Sequence, residues 1–422
     1  MASVDTFVQL LANFKTRYGN LDNVIVDTMK FLKLCPFDKK NKTGHNFVVA
    51  VQLANEQGVT YGSTDDNTGA LLDLKPARRL TLLDATIQPN VLLLRSQIGY
   101  EAYAAGENGD MASFESTSTL VTDSQMKSMQ DRLEISCLYG SSAEGLGTIA
   151  SSSNVSSTST TITITTGQWA TGIWLGKENA TLDIYHTTSL LNANAPLVIT
   201  AIDSVARTIT VTSTSTADIT AIDADIASYP GVDIVLFEGA YGNETIGLDA
   251  VVSSNSTLWG ISNSYMLWKS TVYEVGSSAL TMGKVEKGIS QVVQKGLGGV
   301  VNLIENPDTW ATQNIDLAAL RRYTAEEDSS KLGVKSIEYD YSDGVVKLIG
   351  YNKVKEGHAF AFPDGELKRI GSADVGFKLP GEQYGFLHVP DKMGYEQRMF
   401  SCQGFFTTKV ALLIKFAHVV NS

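Results

Sequence analysis

Several features are scarce in this chain, and each scarcity removes a class of function. Cysteine occurs only three times in 422 residues, as Cys35, Cys137 and Cys402. No CxxC pair exists, so the spacing offers no thiolate metal site. An odd and sparse set fits a reducing compartment, where such residues serve as small buried hydrophobes. The five histidines, His45, His186, His358, His388 and His418, show no ligand spacing. No HExxH pair, GxSxG elbow or GxxxxGKS/T loop occurs. No run of about 18 apolar residues is present, so no membrane span is expected. The opening segment MASVDTFVQLLANF lacks the basic and apolar regions of a signal peptide. Positive charge is also short: 33 Lys and Arg against 45 Asp and Glu give a net charge of −12. That argues against a dedicated nucleic-acid binder, which needs a basic patch to displace counterions. It allows a container that encloses nucleic acid without gripping it.

What is present describes a folded protein of two or three domains. Hydrophobic residues make up 43% of the chain, enough for a sizeable core without disulfides. Residues 1–43 read as an arm with helical pieces, in which Phe7, Leu10, Leu11 and Phe14 recur at helical spacing. Pro36 closes the second piece, because proline disfavours helix in the residue before it. Two extended stretches follow, 47–53 and 79–88, around a polar segment containing Gly62-Ser-Thr-Asp-Asp-Asn-Thr-Gly69. They predict a long hairpin within 44–95. A two-stranded hairpin is marginal alone, so this one needs something to lie on, such as a neighbouring subunit.

Residues 109–139 predict the longest helix, with Asp110 as N-cap and Gly140 as a left-handed stop. Met126, Met129, Leu133 and Cys137 mark one apolar stripe, with Asp123, Lys127 and Asp131 opposite. At about residue 148 the composition turns Ser/Thr-rich. Runs such as Thr161–Thr165 and Arg207–Thr212 alternate Ile or Val with Thr at period two. They predict a small all-β barrel or sandwich inserted at 148–238. From 239 onward the pattern is mixed: a helix at 280–297, a strand at 300–304, a helix opening at Pro307, and strands at 335–339, 344–349 and 358–362. One long strand is expected over 405–416, with Lys409 and Lys415 interrupting its apolar run.

Candidate chemistry is thin. Gly145-Leu-Gly147-Thr-Ile-Ala150 matches GxGxxA, but it follows a helix and precedes β sequence, the reverse of a dinucleotide site. Asp65, Asp66, Gly69 and Asp73 resemble part of a calcium loop, with the glycine and distal glutamate misplaced. They read as a hairpin tip. Asp223, Asp225 and Asp233 read as a solvated turn around Pro230-Gly231. No acid, base and oriented nucleophile assemble, so no catalytic, metal or cofactor site is expected.

The order of parts resembles the major capsid proteins of tailed bacteriophages with the Hong Kong 97 fold. That α+β fold runs through an N-arm, an E-loop hairpin, a spine helix, and peripheral and axial domains. The stretch MKSMQDRLEISCLYG, Met126 to Gly140, resembles the end of the spine helix. The stretch VLFEGAYGNETIGLDAVVSSNSTLWGI, Val235 to Ile261, resembles the return from an inserted domain. The resemblance implies an arm at 1–43, an E-loop at 44–95, a spine helix and the start of the peripheral domain at 96–147, and an inserted β domain at 148–238. It implies a peripheral return at 239–261, an axial domain at 262–375 and closing peripheral strands at 376–422.

It further implies a structural, non-enzymatic subunit that self-assembles into hexamers and pentamers of an icosahedral head around double-stranded DNA. The subunit would belong to the virion, assembled in the bacterial host cytoplasm. Expected partners are copies of itself, a separate scaffolding protein, a portal and a decoration protein, with weak non-specific DNA contact and no membrane. Inter-subunit contacts are expected at Tyr61, Gly62, Asp65, Asp66 and Gly69 on the hairpin, and at Phe7 and Phe14 on the arm. No partner for a covalent crosslink through Lys39, Lys40 or Lys42 can be identified, so none is expected. Two alternatives remain: an encapsulin-type compartment shell of the same fold, and a phage fibre or adhesin subunit suggested by the Ser/Thr-rich β segment.

Overall fold

Alternating apolar and polar residues build most of this molecule, and what covers each strand decides where it sits. The computed structural model describes residues 29–39, 46–61, 74–99, 111–254, 256–321, 337–377, 386–389 and 394–421. The expected N-cap Asp110 lies outside the described residues.

A short helix, α1 (Phe31–Leu34), ends before Cys35-Pro36 and leads into strand β1 (Phe37–Lys39). Strands β2 (Phe47–Ala54) and β3 (Thr81–Ile87) then pair antiparallel, with Phe47 opposite Ile87 and Val51 opposite Leu83. This is the expected hairpin. Strand β4 (Asn90–Gly99) leaves it to join another sheet.

Helix α2 (Met111–Tyr139) follows as one 29-residue element. Its last two turns depart from the expected single stripe: residues 133–139 are buried on every face. Gly140 stops it for a different reason from the one expected. A side chain there would run into the carbonyl oxygens of Thr245 and Ser136, so only glycine fits the close approach. The left-handed residue is its neighbour, Ser141, at φ 54°.

The Ser/Thr-rich region forms β5 (Gly147–Ser156), β6 (Ser159–Ile164), β7 (Thr181–His186), β8 (Ser189–Leu190), β9 (Leu197–Asp203), β10 (Thr208–Thr212) and β11 (Ile234–Phe237). Their order is β11-β5-β6-β10-β9-β7-β8, and β11 also pairs with β7. Six strands therefore close into an antiparallel barrel. Closure follows from the alternation: Ile162, Ile164, Leu182, Ile184, Ile199, Ile209 and Val211 are at most 1% exposed. The threonines between them face outward, where Thr161 and Thr210 share a 3.0 Å hydroxyl contact. Each buried isoleucine is worth about 1.5–3 kcal/mol of transfer free energy. The region also carries the short helix α3 (Thr171–Trp174) and the 13-residue helix α4 (Thr216–Ser228). The strands-only expectation omits α4, although Ile219, Ile222 and Ile226 have helical spacing and are buried. Its N-cap is Ser215, whose side chain accepts from the Asp218 amide at 3.3 Å.

The remainder begins with helix α5 (Leu248–Ser253) and the small pair β12 (Thr257–Leu258) and β13 (Ile261–Ser262). After β14 (Thr271–Ser278), helix α6 (Met282–Val293) presents Val285, Ile289 and Val292 to a second apolar core. Strand β15 (Gly299–Glu305) and helix α7 (Pro307–Arg321) come next, with Pro307 at the first helical position as expected. Then come β16 (Ile337–Tyr341), β17 (Gly344–Gly350), β18 (Ala359–Pro363), β19 (Lys368–Gly376), β20 (Phe386–His388), β21 (Gly394–Phe406) and β22 (Ile414–Val419). Two sheets result. One is mixed, in the order β14-β22-β18-β15-β17-β16. In the other, β21 is flanked by β4, β19 and β20, and β1 adds parallel to β19.

The single strand expected over 405–416 is therefore two strands in two sheets. Thr407 Oγ1 accepts from the Lys409 amide at 3.1 Å, and a 3-10 turn at Val410–Leu412 redirects the chain. Apolar residues continue through the turn because both sheets cover it, so periodicity gave no sign of the break.

Candidate assembly surface and buried ionic junction

Residues that pair across the hairpin share a face, so Phe47, Val49, Val51, Leu83, Ala85 and Ile87 form one apolar stripe. At the base it is covered: Phe47 is 3% exposed, Ala85 0% and Ile87 1%. There the Thr86 amide donates to the Trp259 carbonyl at 2.8 Å. Cover then thins partway along the stripe, although Leu53 beyond is again buried at 5% exposure. Val49 and Val51 are half-buried, and Leu83 is 37% exposed. Farther along, Val59, Tyr61 and Leu74 are exposed, Tyr61 by 86%. The other residues expected at inter-subunit contacts, Gly62, Asp65, Asp66, Gly69, Phe7 and Phe14, lie outside the described residues. Strand β4 adds Val91 and Leu93, both exposed, on the outer face of its sheet.

A second feature lies inside, where the end of α2 meets the barrel and the two open sheets. Glu134 is fully buried and both its oxygens are used. Oε1 accepts the Phe31 amide at 2.7 Å and the Leu32 amide at 3.2 Å, which caps α1. Oε2 receives Lys353 Nζ at 2.6 Å. Lys353 also reaches Asp131 at 2.5 Å, and Asp131 pairs with Lys177 of the barrel side. Backbone bonds reinforce the seam: the Gly172 amide donates to Asn352, Glu356 to Trp169 and Gly357 to Gly167.

One turn farther on, Glu144, Asp249, His358, Lys355 and Lys415 form a companion cluster. Lys415 Nζ sits 2.6 Å from Asp249 and 3.7 Å from Glu144; His358 Nε2 lies 3.3 Å from Glu144. Burial alone would raise the Asp249 carboxyl, but Lys415, then His358 and Lys355, outweigh it and hold it at about 2. Burial and then the Lys415 ammonium drive His358 down to about 3, so the ring is neutral. Burial likewise lowers Lys355 to about 8. The lysines already occupy the cation positions between these carboxylates. The arrangement does structural work: it neutralises charge where three sheets meet.

Sequence spacing concealed this junction. Its members come from positions more than 200 residues apart, such as Glu134 with Lys353. The one sign was Lys415 inside an apolar run. The acidic trio also needs correction: Asp223, Asp225 and Asp233 do not form a solvated turn. Asp223 and Asp225 lie on α4, with Asp223 bonded to Thr160 at 2.7 Å and Asn154 at 2.9 Å, and Asp233 is fully buried.

No family model and no curated protein matches the chain. Solved structures do. The capsid subunit of cyanophage A-1(L) superposes with a TM-score of 0.54 at 12% identity, covering 97% of this chain and 98% of that one. An empty gene-transfer-agent (GTA) capsid gives 0.49 at 8% identity, over 96% and 95% of the two chains. The SrpI encapsulin of Synechococcus elongatus gives 0.46 at 10% identity, over 98% and 96%. The cyanophage match spans both chains almost completely. The chain therefore has the Hong Kong 97 type fold of phage major capsid proteins.

Proposed function

We propose that this chain is the shell subunit of a phage head, assembling into pentamers and hexamers around double-stranded DNA. The observation that carries this is the incompletely covered middle of the hairpin stripe. An apolar face with buried Phe47 and Ile87 at one end, half-buried Val49 and Val51 and 37% exposed Leu83 is suited to completion by another chain, and Tyr61, farther along the segment, is exposed as well. Exposed Val91 and Leu93 on β4 add apolar surface near the hairpin base. The net charge of −12 suits a wall that encloses nucleic acid with weak contacts. In this reading the barrel region, 148–238, is an insertion on the outer face that braces the capsomer. The arm reaches a neighbour, and a scaffolding protein, a portal and a decoration protein complete the assembly.

The test is a charge placed on the stripe. The Val51→Asp/Leu83→Asp double variant is expected to remain folded by circular dichroism but to form no shells in negative-stain images. Shells at wild-type yield from that variant would overturn the reading.

A further inference from the structure

Among the described residues, two clusters join one histidine with two carboxylates, and they differ in one respect. Glu144, Asp249 and His358 enclose the ammonium groups of Lys355 and Lys415. His186, Asp225 and Asp233 have no such cation: among the described residues no lysine or arginine pairs with either carboxylate. The donor atoms of this second trio lie within 4.8 Å of one another.

The fold brings them together from three elements. His186 ends β7, and Asp233 precedes β11. The register that sets Tyr185 opposite Ile234 places the two side by side. Helix α4 delivers Asp225 from above, and the Tyr229 ring closes one side at 4.7 Å from the imidazole. His186 Nδ1 lies 2.7 Å from Asp233 Oδ1 and 2.9 Å from Asp225 Oδ2.

One ring nitrogen carries at most one proton, so it serves one acceptor. The alignment favours Asp233 Oδ1. Asp225 Oδ2 and Asp233 Oδ2 are then buried oxygens without a hydrogen-bond donor. The Asp233 side chain is 0% exposed. Leaving such acceptors unpaired is costly, and a cation relieves it. Meanwhile the His186 and Asp225 side chains are 25% and 23% exposed, so an ion can enter from solvent.

We propose that His186, Asp225 and Asp233 form a binding site for one divalent transition-metal ion of the Zn²⁺ and Mn²⁺ type. Imidazole with two carboxylates is a donor set for these ions, and Mg²⁺, which prefers oxygen and its own water shell, is the weaker ligand. Donor separations of 2.7 and 2.9 Å are close to the edges of a coordination polyhedron with bonds of about 2.0–2.1 Å. Solvent completes the shell on the open side. A bound ion would fasten α4 to the barrel wall and stabilise the region by mass action. The inference holds whether or not the chain builds shells.

The test is titration of the full chain with ZnCl₂ by calorimetry, with MnCl₂ and MgCl₂ as comparisons. One saturable Zn²⁺ per chain is expected, with Mg²⁺ weaker. Affinity should fall by at least about tenfold in His186→Ala and in Asp225→Asn. His358→Gln should leave it unchanged. Asp225 is partly exposed, so its variant is expected to fold, and circular dichroism checks this. The cysteines do not compete: all three are buried, and burial pushes the Cys35 thiol well up and Cys137 to about 12. X-ray absorption at the zinc edge should report nitrogen and oxygen ligands without sulfur. Absence of saturable binding, sulfur ligation, or wild-type affinity retained in both variants would overturn the proposal.

Discussion

The barrel and the hairpin are both built from alternating β sequence, yet they solve the edge problem in opposite ways. In the barrel, β11 returns to pair with β7, so its ring of six strands closes on itself. Its inward isoleucines are buried by its own chain. In the hairpin, β2 and β3 pair only with each other in the described residues, and their apolar face is incompletely covered at Val49, Val51 and Leu83. Alternation therefore tells which face of a strand is apolar, but not whose atoms will cover it. The barrel spends its apolar surface on folding; the hairpin keeps part of its surface for association.

If that contrast is right, the largest losses of stability in the isolated chain should arise at the junction and in the barrel. Lys353→Met leaves Glu134 buried without its cation. It should cost about 3–5 kcal/mol, the usual penalty for breaking a buried pair from one side. Urea unfolding of the unassembled chain measures it. A loss below about 1 kcal/mol would mean that the junction does not bind barrel to sheets as described.

Ile184→Ala tests the barrel directly. Ile184 is 0% exposed, and truncating such a residue costs about 2–5 kcal/mol, depending on how far the site collapses. The same urea series should show it. A cost near zero would show that the barrel interior is loosely packed, and the contrast with the hairpin would fail.

The companion cluster adds a dependence on pH. His358 has an ordinary value of 6.5 and is held at about 3 in the fold by burial, then by Lys415. Below pH 6.5 the unfolded chain takes up a proton that the folded chain refuses. Stability is thus complete above about pH 6.5 and declines toward pH 3. The slope is about 1.4 kcal/mol per pH unit for one proton. Asp249 behaves similarly over a lower window: it ionises at 3.8 unfolded and at about 2 folded, so its contribution is lost as pH falls between those values. His358→Gln should flatten the upper window. Melting temperatures from pH 7 to pH 4 test the upper window, and an unchanged slope in the variant would count against the assignment. Glu144, Lys355 and Lys415 face the same ring and set its value jointly.

Much of this fold was legible in the residues, for reasons that can be named. The hairpin, the long helix, the barrel strands and the Pro307 helix start all announced themselves through local periodicity, caps or turn chemistry. What failed were features set by distant atoms. Gly140 looked like a left-handed stop, but the close carbonyls of Thr245 and Ser136 fix it. The run 405–416 looked like one strand because cover is continuous across two sheets. Helix α4 was overlooked although Ile219, Ile222 and Ile226 carried its spacing. The ionic junction left only Lys415 as a clue, since pairing partners hundreds of residues apart have no local signature. The residues expected to touch neighbours came from the hairpin tip and the arm, and Tyr61 is the one of them among the described residues. Strand pairing adds Leu83, 37% exposed on the face it shares with half-buried Val51.

The smallest effect on the isolated chain should come from Leu83→Ala, and it separates the two regions most cleanly. Leu83 lies on the same face as Ala85 and Ile87 but is 37% exposed, so the folded monomer has little to lose. Its change in unfolding free energy should stay within about 0.5 kcal/mol, as for other surface substitutions. In assembly the same side chain is repeated in every subunit. A loss of even about 1 kcal/mol per contact, the scale of one truncated apolar group, multiplies across the shell. The concentration at which shells first form, followed by light scattering, should therefore rise severalfold while the monomer's unfolding curve stays in place. A variant that shifts the unfolding curve instead would place Leu83 in the chain's own core, and the hairpin would then resemble the barrel after all.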